Sequence, residues 1–277
     1  INILMLMNFN KYKNIKKQYD IKFSKSEYRK QLKRLLLSKK KSLGRSAGTI
    51  VSWHRGGGVR RNFRPIFTYG NETQKATYAI LRSLEYDPNR SAFISLAQMQ
   101  NGSFINIVVS SKAKIGDVIS LNQDMPLFSK NGDFLKLQDA PIGLPIYNIE
   151  KFPGSGPVYS RAAGVYSILL TKDANYGKIK LPSKEERLFD LNCKVTLGVP
   201  SNINNKFNKK YKAGTSRLLN KRPVVRGVAM NPIDHPHGGG AGKTKGGRPS
   251  VSPWGKLTKG VPTRKKNIRN KFIIKNS

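Results

Sequence analysis

The chain has 277 residues, 52 of them lysine or arginine against 15 aspartates and glutamates, for a formal net charge of +37. Soluble domains need a net charge of only about 2–8, and an excess of this size opposes compaction by self-repulsion, so the composition excludes a self-sufficient globule and asks for a polyanionic partner, RNA or DNA before an anionic membrane surface. A single cysteine, Cys193, excludes an internal disulfide and a cysteine-based zinc site, and no run approaches the ~20 apolar residues of a membrane span.

Residues 1–7 are apolar but short, and lysine and asparagine follow them rather than a small-residue cleavage site, so no signal peptide is expected. Residues 1–48 carry a net charge of +12. Within them, 26–42 has a helical pattern, with Leu32, Leu35 and Leu36 on one face, Tyr28 one turn earlier and basic residues around the rest. The expectation is a cationic helix that packs its leucines on protein and turns its lysines to phosphate. The alternative is a helix lying on a membrane surface.

Residues 49–190 are nearly balanced, at +6, and read as β. Short apolar, β-favouring runs occupy 78–84, 92–99, 104–109 and 118–121, and Asn101-Gly102 between the middle two is a hairpin signal. After a polar break near Asn131-Gly132 the pattern resumes at 144–149, 164–171, 176–181, 187–191 and 194–197, with turns at Pro153-Gly154, Asp173-Ala174-Asn175 and Pro182-Ser183. Strands at this spacing predict small barrels or sandwiches rather than βαβ units. Cys193 alternates with Leu191, Val195 and Leu197, the place of a buried small hydrophobe. From 201 onward the patterning fades, apart from a short helix expected near 212–220. Residues 191–277 carry +19 with a single carboxylate, Asp234. Such cationic arms have no core of their own and fold against a partner. The resulting plan is a basic extension over 1–42, barrels over 43–122 and 123–200, and a basic Gly-rich extension over 201–277.

Four segments carry chemistry. In 53–64, Gly56, Gly57 and Gly58 remove every Cβ and let the backbone approach a surface. Arg55, Arg60, Arg61 and Arg64 supply forked donors for phosphate, and Trp53 and Phe63 offer faces for bases or sugars. No Gly-Lys-Ser/Thr follows, which excludes a phosphate-loop nucleotide site. In 84–92, Glu85, Asp87 and Arg90 suggest a catalytic or metal site, but Asp87-Pro88-Asn89 is turn chemistry, and a turn closed by a local Asp–Arg pair is the expectation. In 226–242, Asp234, His235 and His237 suggest a triad or metal site. Against this stand the stiffening Pro236, the lack of a second carboxylate nearby and five glycines that preorganise nothing. The expectation is a tight loop threaded into a crowded cleft, with imidazoles donating to phosphate or 2′-hydroxyl groups and Asp234 orienting a neighbour. The tail 243–267 alternates Lys243, Lys245, Arg248, Lys256, Lys259 and Arg264 with glycine and proline around Trp254, a composition that gains order along an RNA backbone.

The run Arg226-Gly227-Val228-Ala229-Met230-Asn231-Pro232-Ile233-Asp234-His235-Pro236-His237-Gly238-Gly239-Gly240-Ala241-Gly242, continued by Gly246-Gly247-Arg248, Ser252-Pro253-Trp254-Gly255 and Thr258-Lys259-Gly260, resembles the signature of the large-subunit ribosomal protein L-two family. Gly56-Gly57-Gly58, Leu84-Glu85-Tyr86-Asp87-Pro88-Asn89-Arg90, Ala140-Pro141-Ile142-Gly143 and Arg161-Ala162-Ala163-Gly164 match that family in order and spacing, leaving only 1–40 and about 201–215 without a counterpart. The resemblance implies an all-β chain, an OB-fold barrel followed by an SH3-like barrel with long basic extended N- and C-terminal arms. It implies a structural constituent of the ribosome rather than an enzyme, bound to large-subunit ribosomal RNA, organising the region around the peptidyl-transferase centre and supporting subunit association and tRNA placement. Its partners would be that RNA, neighbouring ribosomal proteins and small-subunit RNA at an intersubunit bridge, with no cofactor and no protein-held metal; Mg2+ beside the RNA is the one ion it leaves room for. The residues carried over as RNA contacts are Arg55, Gly56, Gly57, Gly58, Arg60, Arg61, Arg64, Arg90, Arg161, Arg222, Arg226, Asn231, His235, His237, Gly238, Gly239 and Gly240, with Lys243, Lys245, Arg248, Trp254, Lys256, Lys259 and Arg264 of the tail.

The pattern Asp234-His235-Pro236-His237 followed by Ser252-Pro253-Trp254-Gly255 is similar to the bacterial type. Ala241 replaces the usual acidic residue, and Val59-Arg60 stands where His-Lys is usual, which puts the individual contacts of that loop in doubt. Abundant asparagine, lysine and isoleucine, the initial Ile1 and the lack of an Arg- and Ser-rich import segment suggest an AT-rich organellar genome and a mitochondrial ribosome, with plastid or bacterial cytoplasm as the alternatives. Two competing classes are a His-dependent nuclease or metalloenzyme using Asp234, His235 and His237, and a membrane-surface protein using 26–42.

Overall fold

The computed structural model describes residues 33–38, 44–67, 78–121, 130–242, 247–261 and 271–275. Of these, 33–38, 61–67, 78–121, 130–208 and 271–275 form one compact unit, and 44–60, 209–242 and 247–261 form a second. The fold is all-β apart from a few short helical turns. No helix among the described residues is long and apolar enough to cross a membrane.

The second unit opens with a minimal hairpin, β1 (Arg45–Ser46) paired with β2 (Thr49–Ile50). Ala47 and Gly48 both take positive φ at its tip, the combination that turns a two-residue loop with the twist of the strands.

In the first unit, β3 (Tyr78–Leu81), β4 (Ile94–Met99), β5 (Phe104–Val108) and β6 (Val118–Ser120) make an antiparallel sheet in the order β5-β4-β3-β6. Asn101-Gly102 closes β4 on β5 as expected: Gly102 sits at φ 80°, and the Asn101 side chain accepts the Ser103 N–H at 3.0 Å. Ala79, Leu81, Ala97, Met99, Ile107, Ile119 and Leu121 form the core of this sheet.

Next come β7 (Phe134–Lys136), β8 (Pro145–Tyr147), β9 (Ile149–Glu150), β10 (Pro157–Tyr159), β11 (Ser167–Lys172), β12 (Tyr176–Lys180), β13 (Glu186–Asp190) and β14 (Lys194–Leu197). With β15 (Ile273–Lys275) they build a seven-stranded antiparallel sheet ordered β15-β13-β12-β11-β8-β14-β7, while β9 and β10 pair separately. Every predicted run from 78 to 197 contains an observed strand. Leu135, Leu137, Ile146, Ile149, Leu169, Ile179, Val195 and Leu197 fill this core. Cys193 is fully buried, and burial pushes its thiol up to about 12, as befits a packing residue rather than a reactive one.

The alternation of side chains across a strand joins the two cores. On β7, Phe134 enters the first core and the adjacent Leu135 the second. On β8, the fully buried Tyr147 packs with Ala92, just before β4, and Val108 of β5, and donates its hydroxyl to the Val108 carbonyl at 3.3 Å. A buried carboxylate completes the seam: Asp133 accepts the Ser120 N–H at 2.9 Å and the Lys130 N–H at 2.7 Å. Desolvation outweighs those bonds and lifts its pKa to about 6. Residues 199–202 then run back along the first sheet. Ser111 N–H donates to Val199 O, Ser201 N–H to Val109 O and Asn202 Nδ2 to Ser91 O.

Two expectations meet the structure differently. The short helix near 212–220 is present as α1 (Ala213–Leu218). The predicted helix over 26–42 lies mostly outside the described residues. Residues 33–38 show one turn, Leu36 N–H on Lys33 O, and a bridge between Leu37 and Phe63.

Candidate nucleic-acid interface

The second unit has almost nothing inside. Among its described residues only Gly56 and His235 are buried, yet it carries thirteen basic side chains and one carboxylate, Asp234. One carboxylate cannot balance thirteen cations, and a segment without a core cannot offset the ~1–2 kcal/mol of backbone entropy each ordered residue costs.

What order it has comes from backbone interlocking. Residues 54–59 lie against 217–222: Arg222 N–H donates to His54 O at 3.0 Å, Gly56 N–H to Asn220 O at 3.3 Å and Val59 N–H to Leu218 O at 3.2 Å, with a bridge between Arg55 and Lys221. Gly56, Gly57 and Gly58 all have positive φ, and a Cβ on Gly58 would stand 2.9 Å from the Asn220 nitrogen. Gly58 is therefore required for fit within the chain, and the positive φ at all three positions favours glycine. Arg217, which sequence reasoning did not single out, holds the same loop through Gly56 O at 3.3 Å and Lys221 O at 3.4 Å. Nothing marks it in the sequence, because its task appears only once 54–59 and 217–222 are paired.

The histidine loop is closed by its own imidazoles. His235, 8% exposed, accepts the His237 N–H at Nδ1 over 3.0 Å, and His237 accepts the Val251 N–H at Nε2 over 2.9 Å. The rings stack with centroids 5.1 Å apart. Here the reading of the glycines as preorganising nothing is corrected. A Cβ on Gly238 would collide with the Asn231 carbonyl and one on Gly239 with Pro232, while Gly238 N–H donates to His235 O and Gly239 N–H to Met230 O. A Cβ on Gly227 would enter the His235 ring. Asp234 is exposed, and no group of three His, Cys, Asp or Glu able to hold a metal occurs among the described residues.

The first unit contributes a second cluster. Asp87 is fully buried and pairs with Arg90 Nε at 2.6 Å and Arg64 at 3.7 Å. Its Oδ1 also accepts the Asn89 N–H at 2.8 Å, while Arg90 donates to Arg64 O at 3.1 Å and Arg61 to Pro88 O at 2.9 Å. The Asp–Arg turn expected at 87–90 is thus a rigid knot that partly occupies three of the arginines. Burial lowers the Arg90 pKa against the opposing pull of Asp87, and Arg161 and Arg64 lower it further by repulsion. An open cleft of about 770 Å³ lies beside the knot, lined by Phe63, Arg90, Asn148, Pro157 and Arg161 among others. Arg161 is exposed. Asn148, held at φ 51°, keeps a buried amide oxygen without a hydrogen-bond partner.

Arg55, Arg60, Arg222, Arg226, Asn231, Gly240, Arg248, Trp254, Lys256 and Lys259 all fall in the second unit. Arg61, Arg64, Arg90 and Arg161 fall in the first. Lys243, Lys245 and Arg264 lie outside the described residues.

Comparison with known proteins places these features in a lineage. Residues 32–121 match the family described as Ribosomal Proteins L2, RNA binding N-terminal domain, and residues 130–255 match Ribosomal Proteins L2, C-terminal domain. The large ribosomal subunit protein uL2m of Reclinomonas americana is 45% identical over 248 residues, 88% of this chain and 87% of that protein. The large ribosomal subunit protein uL2 of Rickettsia canadensis is 46% identical over 228 residues, 82% of each chain, and that of Rickettsia rickettsii 46% over 245 residues, 88% of each.

Proposed function

Because the chain belongs to the ribosomal protein L2 family, a structural constituent of the large ribosomal subunit and not an enzyme, we propose that it binds large-subunit ribosomal RNA and organises the region around the peptidyl-transferase centre, supporting subunit association and tRNA placement. Its two sheets are the OB-fold and SH3-like barrels of that family. The observation that carries the proposal is the second unit, thirteen cations and one carboxylate around only two buried residues. Such a body acquires its stability from phosphate neutralisation and counterion release.

Arg55, Arg60, Arg222, Arg226, Arg248, Lys256 and Lys259 contact phosphate, and Lys243, Lys245 and Arg264 extend the same path. Gly56 to Gly58 and Gly238 to Gly240, with Asn231, His235 and His237, bring backbone close to the RNA. Arg90 and Arg161 flank the cleft, with Arg61 and Arg64 beside them. Neighbouring ribosomal proteins and small-subunit RNA at an intersubunit bridge complete the partners. The proposed domains are a basic extension over 1–42, barrels over 43–122 and 123–200, and a Gly-rich extension over 201–277 whose first residues, 201–208, belong to the first unit. The setting is a mitochondrial ribosome: the composition is rich in lysine, asparagine and isoleucine, and one relative carries a mitochondrial name. Similarity to the Rickettsia proteins keeps the bacterial cytoplasm as the alternative. Sedimentation of a mitochondrial lysate tests the whole reading. Co-migration with large subunits, lost after RNase treatment, is expected, whereas recovery only in a ribosome-free fraction overturns it.

A further inference from the structure

The chain has only two tryptophans, Trp53 and Trp254, and the second unit brings them together. Their ring centroids are 5.8 Å apart and their planes tilt by 34°. Both remain in solvent, Trp53 42% and Trp254 75% exposed. Backbone bonds fix each of them. Trp53 directly precedes His54, whose carbonyl holds Arg222, and Arg55, which bridges to Lys221. Trp254 rides the tip of a tight turn in which Ser252 N–H donates to Lys256 O at 2.8 Å and Gly255, at φ 76°, to Ser252 O at 2.9 Å.

Tryptophan is highly buried on average, and two in contact with each other and open to water leave a large apolar area without a cover. A base cannot enter between the rings, because that needs about twice the ~3.5 Å contact distance of carbon atoms. The pair therefore acts as one surface, with its outer faces left for a ligand. That ligand must be flat and apolar, and it must carry negative charge, because the rings stand on a unit with thirteen cations and one carboxylate. Arg55 and Lys256 each lie two residues beyond one of the rings. An unpaired nucleotide meets all three requirements, whereas a duplex offers its phosphates and keeps its base faces stacked inside.

We propose that Trp53 and Trp254 form a single stacking platform for unpaired nucleotides of RNA, with Arg55 and Lys256 serving their phosphates. This rests on the RNA-binding reading above and adds to it a preference for single-stranded segments.

The two rings are also the chain's entire tryptophan fluorescence, so the site reports on itself. The full chain is titrated with a 12-nucleotide oligoadenylate and with a blunt 12-base-pair RNA duplex, each carrying a fluorophore for anisotropy. The oligoadenylate is expected to quench the tryptophan emission on binding, and the duplex to bind without quenching. Trp254→Ala should weaken oligoadenylate binding about tenfold and leave duplex binding unchanged, with Trp254→Phe restoring most of the loss. Trp53→Ala should act in the same direction and less strongly. Unchanged duplex binding shows that each variant is folded. Equal quenching by both RNAs, or oligoadenylate affinity unaffected by Trp254→Ala, overturns the platform and leaves the pair to a protein neighbour, with the RNA-binding reading intact. Failure of both RNAs to bind overturns the RNA-binding reading itself.

Discussion

At the scale of single residues, buried charges serve structure, and the exposed ones are left for the partner. Asp133 is the clearest case. Its folded pKa of about 6 lies above the usual 3.8, so the folded state holds the proton more tightly than the unfolded chain does. Its contribution to stability is fully present below about pH 4 and is lost as the pH rises through 6, an effect of about 3 kcal/mol over that interval. Asp133→Asn keeps the protonated shape at every pH. Thermal melts from pH 4 to 7 should show the wild type losing on the order of 5–10 °C relative to Asp133→Asn as the pH climbs. A constant difference across the range would show that the carboxylate is not desolvated. Asp87 and Arg161 make a contrasting pair. Asp87→Ala leaves Arg90 and Arg64 without their buried partner and should cost about 3–5 kcal/mol of stability. Arg161→Ala, at an exposed site in the cleft wall, should leave the melting temperature within about a degree and weaken RNA binding several-fold. Calorimetry beside a filter-binding titration separates the two, and a stability loss in Arg161→Ala would move that residue from the interface to the framework.

At the scale of elements, glycine decides whether the coreless unit can assemble. Gly58→Ala meets the Asn220 backbone at 2.9 Å and a φ of +79° together, so the interlock of 54–59 with 217–222 must open. RNA affinity should fall at least about fivefold while the barrels melt unchanged, since an L residue there carries a strain of about 1–2 kcal/mol before the collision is counted. Gly102→Ala is the control: its φ is +80° with nothing within 4 Å of the added Cβ, so it should cost about 1 kcal/mol of barrel stability and no affinity. The same contrast explains what the sequence revealed. Most strands between 78 and 197 were legible because each alternates or runs apolar against a core, and Asn101-Gly102 announced its hairpin. β7 was hidden because Phe134 and Leu135 feed two different cores and mimic a loop after Asn131-Gly132. β15 was hidden because a three-residue edge strand, Ile273–Lys275, has no pattern until β13 is there to pair with it. Basic character named the arms and their glycines, but the Arg217 clamp, the His235–His237 acceptor chain and the meeting of Trp53 with Trp254 are long-range pairings that no local spacing encodes.

At the scale of the whole molecule, the chain separates stability from affinity. The two cores of the first unit are closed by Tyr147, Asp133 and the run 199–202, whose Ser201 and Asn202 side chains bond to Phe93 and Ser91. The second unit holds thirteen cations against one carboxylate and no core. A truncation that respects this division ends after Asn208, where the continuous run of the first unit stops, and not at 201, where Ser201 and Asn202 would be lost with the arm. Removing 209–277 takes away β15 at the sheet edge and the partner of the 54–59 loop, so the barrels should melt a few degrees lower yet stay cooperative. RNA binding should change far more. If the full chain neutralises about 6–10 phosphates, its affinity falls by about 10³–10⁵ between 50 and 200 mM salt. The truncated chain, left with the Arg90 and Arg161 cleft as its main contact, should show a log–log salt slope reduced by more than half. An unchanged slope would place the binding charge in the barrels. Cooperative unfolding lost together with the arm would mean that the second unit, despite its empty interior, helps hold the first.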